Sequence, residues 1–242
     1  MEKEVYLIWL SMIPKLGKNP IKAIRESYPN LEMIWKEKNA EELKKIPGIG
    51  EKIANEILNP KWKKEAWKEW EKVKKHKIQV IGFGEDNYPT LLKEIYDPPI
   101  CLYAFGDLEI LKEPSVAIVG SRMASDYAKQ VAYYLAYQLA QKKIHVVSGM
   151  AKGVDSYSHK GAIRAYDKKE KEKMGKTIAV IGTGLGEVYP KENEKLRDEI
   201  LASGGVILSE YPMETKANRY HFPERNRIIS GLTRRNHCGR SW

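Results

Sequence analysis

Three β-branched runs in the C-terminal half of this chain each stop at a glycine-rich turn and give way to a helical pattern. They are VAIVGSR (Val116 to Arg122), IHVVSGMAKGVD (Ile144 to Asp155) and TIAVIGTGLGEVYP (Thr177 to Pro190). A fourth run, VILSEYP, leads into HFPERNRIISG (His221 to Gly231). Strand, glycine turn and helix is how an α/β sheet builds a phosphate-binding edge. Glycine lets the backbone come close, and the first amides of the following helix point at the anion. Strands alternating with helices at this spacing predict a mainly parallel sheet covered on both faces over residues 78–233. Helices are expected at Asp126 to Gln141, from Ser156 to about Asp167, and at Asn193 to Ala202. The charged run DKKEKEKMGK between the second helix and the third strand reads as a solvated loop or a frayed helix end.

The turns supply the candidate contacts. Gly120 permits close approach, Ser121 offers a hydroxyl, and Arg122 a planar fork matched to phosphate. An ordinary turn with a surface arginine is the alternative. SGMAKGVD adds Ser148, Gly149 and Lys152, with Asp155 placed to cap the next helix. His159 lies one turn on without a partner nucleophile, so a structural or simply exposed place suits it better than general-base work. In HFPERNRIISG and just before it, Phe222 stands among Arg219, Arg225, Asn226 and Arg227. An aromatic beside arginines suits single-stranded nucleic acid, the ring stacking a base and the cations holding phosphates. A helix start with solvated charges and a buried ring is the competing picture.

Two familiar phosphate motifs are absent. Gly182 to Gly186 is spaced G-x-G-x-G, and no acid follows in register about 20 residues later, so a dinucleotide fingerprint does not fit. No G-x-x-x-x-G-K-[ST] occurs. The reading therefore assigns no catalytic residue, no cofactor and no metal.

Residues 1–77 read as helices with short breaks. LKKIPGIGEKIANEIL resembles a helix-hairpin-helix, whose Gly48 and Gly50 turn can hold one backbone phosphate or serve only as scaffold. In the following KWKKEAWKEWEKVKKHK, Trp62, Ala66, Trp70 and Val73 share one helical face, which favours core over base stacking. The formal net charge of +10 predicts a polyanionic partner, nucleic acid before an anionic membrane. Cys101 and Cys238 have no metal-type spacing, and the acidic N-terminus lacks the basic start of a signal peptide. No apolar run approaches the roughly 20 residues of a membrane span, so the expected place is the cytoplasm.

Taken in order, GSR, SGMAKGVD, AVIGTGLGEVYPKEN, LSEYP and HFPERNRIISGL closely resemble the DprA/Smf family of DNA-processing proteins. The lead-in YPTLLKEIYDPPICLYAFGD and the helical N-terminal part, similar to a SAM-like domain, fit the same family. The resemblance implies an extended Rossmann-like domain that binds single-stranded DNA in natural transformation, protecting incoming strands and loading the RecA recombinase. It places Arg122, Arg219 and Phe222 in the DNA pocket, with Gly120, Ser121, Ser148 and Gly149 as neighbours and Arg225 and Arg227 as additions. It also implies a homodimer. A nucleotide-processing hydrolase of the phosphoribohydrolase type is the other class considered, and a non-functional fragment the third. The first lacks its proline-glycine pair before GTGLGE.

The last residues, 234–242 within TRRNHCGRSW, depart from the family pattern. There the family continues with further strands and a helix that contribute to dimerisation and RecA contact. The expectation is a sheet lacking its last strands, with Val206 to Ser209 left as a partly uncovered edge.

Overall fold

The structure, a computed structural model, describes residues 2–28, 30–166 and 174–233, and the backbone alone of 235–238. Most of the charged run at 167–176 and the side chains of the tail, Cys238 included, lie outside the described residues. The chain divides into two units: Met1–Tyr88 with Tyr96–Leu102, and Pro89–Ile95 with Tyr103–Trp242.

The first unit holds helices α1 (Lys3–Met12), α2 (Lys18–Ser27), α3 (Leu31–Lys36), α4 (Ala40–Lys44), α5 (Glu51–Leu58) and α6 (Pro60–Lys75), then strand β1 (Gln79–Gly82). Its core is aromatic. Trp9 is fully buried and meets Trp35 edge-on at 5.1 Å. Pro60 opens α6, where its missing N–H costs nothing, and Asn59 caps it by accepting from the Lys61 N–H. Ala66 and Val73 are buried, and the half-buried Trp62 donates its indole N–H to Glu56 at 2.6 Å. Trp62 is held by that bond within the helical unit. Between α4 and α5, Gly48 has φ +83, and a Cβ there would sit 3.2 Å from the Pro20 ring. Only glycine takes that backbone without strain.

The sequence reading begins the second domain at residue 78, yet β1 belongs with the helices. Gly82 packs so closely on Leu7 that a Cβ would come within 2.4 Å, and Phe83 N–H donates to Ile100 O.

The second unit contains α7 (Thr90–Lys93), most of β2 (Cys101–Gly106), β3 (Ser115–Val119), α8 (Asp126–Gln141), β4 (His145–Ser148) and α9 (Val154–Ala165). These are followed by β5 (Thr177–Ile181), α10 (Glu194–Ala202), β6 (Val206–Ser209), α11 (His221–Gly231) and β7 (Arg235–Cys238). The strands lie in the order β2-β6-β5-β4-β3-β7. All pairs in that series are parallel except β2 with β6. The expected mainly parallel α/β architecture is therefore present, and the three helices fall within two residues of their expected starts.

Two expectations about the far side are corrected. β6 is not an edge: Tyr103 to Gly106 of β2 pair antiparallel with it, placing Gly106 opposite Val206. A Cβ at Gly106 would meet Gly205 O at 2.2 Å, which is why glycine ends that strand. The tail is not devoid of regular backbone either, since residues 235–238 run parallel to β3 with Val116 opposite Arg235. Between α8 and the sheet, Ala132, Ala136, Ala140, Ala162, Ile118 and Val146 form one core cluster. No helix of the described residues is long and apolar enough to cross a membrane.

Candidate nucleic-acid interface

The turns after β3, β4 and β5 and the start of α11 converge on an open cleft of ≈ 510 Å³. Its walls include Gly120, Arg122, Asp155, Tyr189, Arg219, Phe222, Arg225 and Asn226. Glycines make the convergence possible. Gly153 has φ +79, and a Cβ there would lie 2.3 Å from Ser121 O, so the first two turns touch backbone to backbone. Val154 N–H closes the contact by donating to Ser121 O at 3.2 Å. A Cβ at Gly182 would crowd the Phe222 ring at 2.9 Å, so the third turn leaves room for that ring.

The cation and the ring meet directly. The Arg122 guanidinium carbon stands 4.7 Å from the centre of the Phe222 ring. Tyr189 packs beside Phe222 at 5.4 Å with its plane tilted 34°. At the rim, the Arg219 guanidinium lies 4.7 Å from the Tyr220 ring centre, and that ring is 59% exposed. Among the described residues neither Arg122 nor Arg219 has an ion-pair partner, so both cations are available to an anion. A recess of ≈ 70 Å³ adjoins, lined by Gly149, Lys152, Gly182 and Pro190 as well as Arg122, Tyr189 and Phe222.

The floor is different in kind. Arg225 is 4% exposed and donates to the carbonyls of Gly149, at 2.7 Å, and Val180. Asp155 is equally buried. Both charged groups crowd Gly149, where a Cβ would lie 2.5 Å from Asp155 Oδ2 and 2.6 Å from Arg225 Nη2. Burial pushes the Asp155 carboxyl up. The Arg225 charge, the Ala151 and Gly120 amides and the Ser148 hydroxyl pull it back. Burial likewise lowers the Arg225 guanidinium, against the opposing field of Asp155. The Arg225 bonds to Gly149 O and Val180 O tie α11 to the ends of β4 and β5 and hold the geometry above them, with Asp155 felt through its field and not through a direct ion pair.

Several expected contacts are thereby reassigned. Arg225 is a structural arginine forming the cleft floor, not a solvent-facing phosphate ligand. Ser148 is fully buried, its single hydroxyl proton shared between Ile118 O, 2.7 Å away, and the Asp155 carboxyl, which leaves it engaged inside the sheet edge. Ser121 lies outside both cavities and accepts from Met123 N–H at 3.1 Å. Arg227 also lies outside them and pairs with Glu210 at 2.6 Å. Lys152 is exposed at the recess but reaches Glu192 at 2.6 Å. Asp155 sits buried inside the first turn of α9, accepting from Ala151 N–H at 3.4 Å, and is not the cap, a place taken by Gly153. Gly48 and Gly50 belong to the other unit.

His159 is fully buried with Nδ1 2.6 Å from Thr177 Oγ1, and burial depresses its pKa to about 3. It is a neutral core residue. The GTGLG turn spends its amides internally: Gly184 N–H donates to Thr215 O and Gly186 N–H to Met213 O, each at 2.8 Å. They are unavailable to a pyrophosphate. The sequence reading missed Tyr189 and Tyr220. Each is an aromatic exposed in a polar loop, which is the signal that could have marked them.

Comparison with known proteins bears on this site. The family model described as DNA recombination-mediator protein A matches residues 79–236, and a SAM-like helix-hairpin-helix tandem matches residues 9–59. DNA processing protein DprA of Bacillus subtilis is 43% identical over 157 residues, covering 64% of this chain and 50% of that protein. Protein Smf of Synechocystis is 33% identical over 237 residues, covering 96% and 57%. The chain spans about half the length of the curated relatives it matches. The X-ray structure of DprA from Streptococcus pneumoniae superposes with a TM-score of 0.74 at 32% identity, over 98% of this chain and 77% of that one. A structure of the Helicobacter pylori protein, solved for its single-stranded DNA binding mode, gives 0.58 at 32% identity, over 67% and 69%.

Proposed function

The chain belongs to the DNA recombination-mediator protein A (DprA/Smf) family, and from that premise we propose that its cleft binds single-stranded DNA without reading sequence and without catalysis. The observation that carries the proposal is the Arg122–Phe222 pair in an open, uncompensated basic cleft. A base exposes both faces only when its strand is single, and a ring in a cleft can stack on it for about 1–3 kcal/mol. Arg122 and Arg219 then neutralise the adjoining phosphates as charge-assisted donors. Arg225, buried and bonded to the Gly149 and Val180 carbonyls, positions the turns beneath the cleft and is not among the proposed ligands. The Helicobacter pylori relative was described for single-stranded DNA binding, which supports the same reading here. The wider role follows the family resemblance: protecting strands taken up in natural transformation and handing them to RecA, as a cytoplasmic homodimer.

Photocrosslinking tests the location. An oligothymidylate carrying 5-iododeoxyuridine is irradiated with the protein and the adducts are mapped by mass spectrometry. Adducts on Tyr189, Tyr220 or Phe222 are expected. Adducts confined to peptides outside residues 117–226 would mean that the cleft is not the site.

A further inference from the structure

Of the cations that line the cleft and its recess, Arg225 is buried in the floor, and Arg122 and Arg219 have no ion-pair partner among the described residues. Lys152 differs from all three: its ammonium lies 2.6 Å from the Glu192 carboxylate. A carboxylate on a cation of a polyanion site occupies the place of a phosphate oxygen. The fold nonetheless holds Glu192 there. It belongs to a single 3₁₀ turn, Lys191–Asn193, that leads into α10. Next to it, Asn193 is buried and donates its side-chain amide to Met150 O at 2.8 Å. Met150, at φ 55, stands two residues before Lys152 in the turn after β4. This buried hydrogen bond clamps one turn onto the other and sets Glu192 against Lys152 from 40 residues away. The Lys152 hydrogen bond, the Glu192 backbone amide and the Lys152 charge lower the Glu192 carboxyl from its ordinary value, so it is ionised at neutral pH.

We infer that Glu192 is an internal counter-anion standing in for a strand phosphate on Lys152, so that Lys152 is a phosphate contact held in reserve and Glu192 sets how tightly the cleft holds its strand. The inference rests on the single-stranded DNA reading of the cleft. Lys152 lines the ≈ 70 Å³ recess together with Arg122. It also lines a wider groove of ≈ 610 Å³ on the other side of Tyr189, together with Glu192. A phosphate drawn to Arg122 in the recess therefore arrives beside an ammonium that is already engaged.

The exchange conserves charge. Lys152 leaves one oxyanion for another, and the Glu192 carboxylate passes to water. It is readily made because both partners are exposed, their side chains 57% and 66% accessible, and an exposed pair is weak in water. A buried pair at this place would lock Lys152 away, and no pair at all would leave a third free cation on the strand. The exposed pair instead makes a contact that a phosphate can take and return. Salt acts on the pair as well as on the strand. Screening weakens an exposed ion pair, so Lys152 is released from Glu192 as salt rises. Removing the Glu192 charge should therefore matter most at low salt.

Oligothymidylate titrations of the full chain across salt concentrations, read by fluorescence anisotropy, test this with Glu192→Gln, Lys152→Ala and the double variant. Glu192→Gln should bind about two- to fivefold more tightly at low salt, the range an exposed pair allows. It should also steepen log K against log salt by about 0.7, one phosphate contact. Lys152→Ala should change affinity little in the wild type and erase the whole gain in the Glu192→Gln background. Glu187→Gln makes the same change of charge in the same groove, on a carboxylate with no ion-pair partner among the described residues. It measures the general field, so its gain should be smaller and should survive Lys152→Ala. Weaker or unchanged binding by Glu192→Gln, or a Lys152→Ala loss of equal size in both backgrounds, overturns the inference. Arg122→Ala distinguishes that failure from failure of the cleft reading. Weakened binding by Arg122→Ala with an additive Lys152–Glu192 cycle keeps the cleft and removes only the reserve contact. Wild-type binding by Arg122→Ala removes both.

Discussion

Replacing Arg225 by methionine separates a structural arginine from a DNA-binding one. The side chain keeps its length and loses its charge. In the protein, Arg225 is 4% exposed, donates to two backbone carbonyls and faces the buried Asp155. Its removal leaves the buried Gly149 and Val180 carbonyls without their donor and takes away the cation whose field Asp155 feels, at about 1–3 kcal/mol for each buried group left unsatisfied. Asp155→Asn leaves the converse defect, a buried guanidinium without its anion. The double variant carries neither orphan charge, so the two losses should not add, with a coupling of about 1–3 kcal/mol. Urea unfolding followed by circular dichroism supplies all four stabilities. With a denaturant slope of ~2 kcal/mol per molar, Arg225→Met should move the midpoint down by ~2 M. A loss below about 1 kcal/mol with an additive cycle would refute the argument, because a guanidinium that costs so little to remove is solvated. It would restore Arg225 to the list of DNA ligands.

Acid should find His159. Its folded pKa of about 3 lies below the ordinary 6.5, so its contribution is whole above pH 6.5 and is lost as pH falls towards 3. Each pH unit in that window costs about 1.4 kcal/mol, roughly 2 kcal/mol between pH 6.5 and 5. His159→Gln should lack this part of the acid slope in urea titrations at both pH values, and equal slopes would contradict the assignment. Gly161→Ala should destabilise by about 1–3 kcal/mol, since its Cβ meets the Tyr133 carbonyl rather than a movable side chain. An unchanged urea midpoint would show that α8 and α9 are not held at that separation.

The parts of the fold legible in sequence were those written locally. A β-branched run ending at glycine encodes its own strand and turn, so β3, β4, β5 and the helices after them were readable. The pairing of β2 with β6 was not, because Tyr103 and Ser209 meet across a hundred residues and neither announces the other. That pairing converts an apparent edge into an interior strand. At the site, Arg122 and Arg225 look alike as letters. Their fates differ because Arg225 precedes Ile228 and Ile229 by three and four residues and shares their buried helical face. That spacing was available and was outweighed by the neighbouring arginines. Asp155 was read as a cap because a carboxylate after a glycine turn usually is one. Only the packing of α11 against the turns shows the cation whose field it feels.

Salt-dependent binding of an oligothymidylate to the wild type, Arg122→Ala and Phe222→Ala, followed by fluorescence anisotropy, tests the central claim most directly. Each phosphate contact on a single strand contributes about −0.7 to the slope of log K against log salt. Arg122→Ala should therefore bind more weakly and flatten that slope by about 0.7. Phe222→Ala should lose about 1–3 kcal/mol at every salt concentration and keep the wild-type slope, because stacking releases no counterions. Affinities and slopes equal to wild type in both variants would contradict the claim that this cleft, with Arg122 over the Phe222 ring, is where the strand binds.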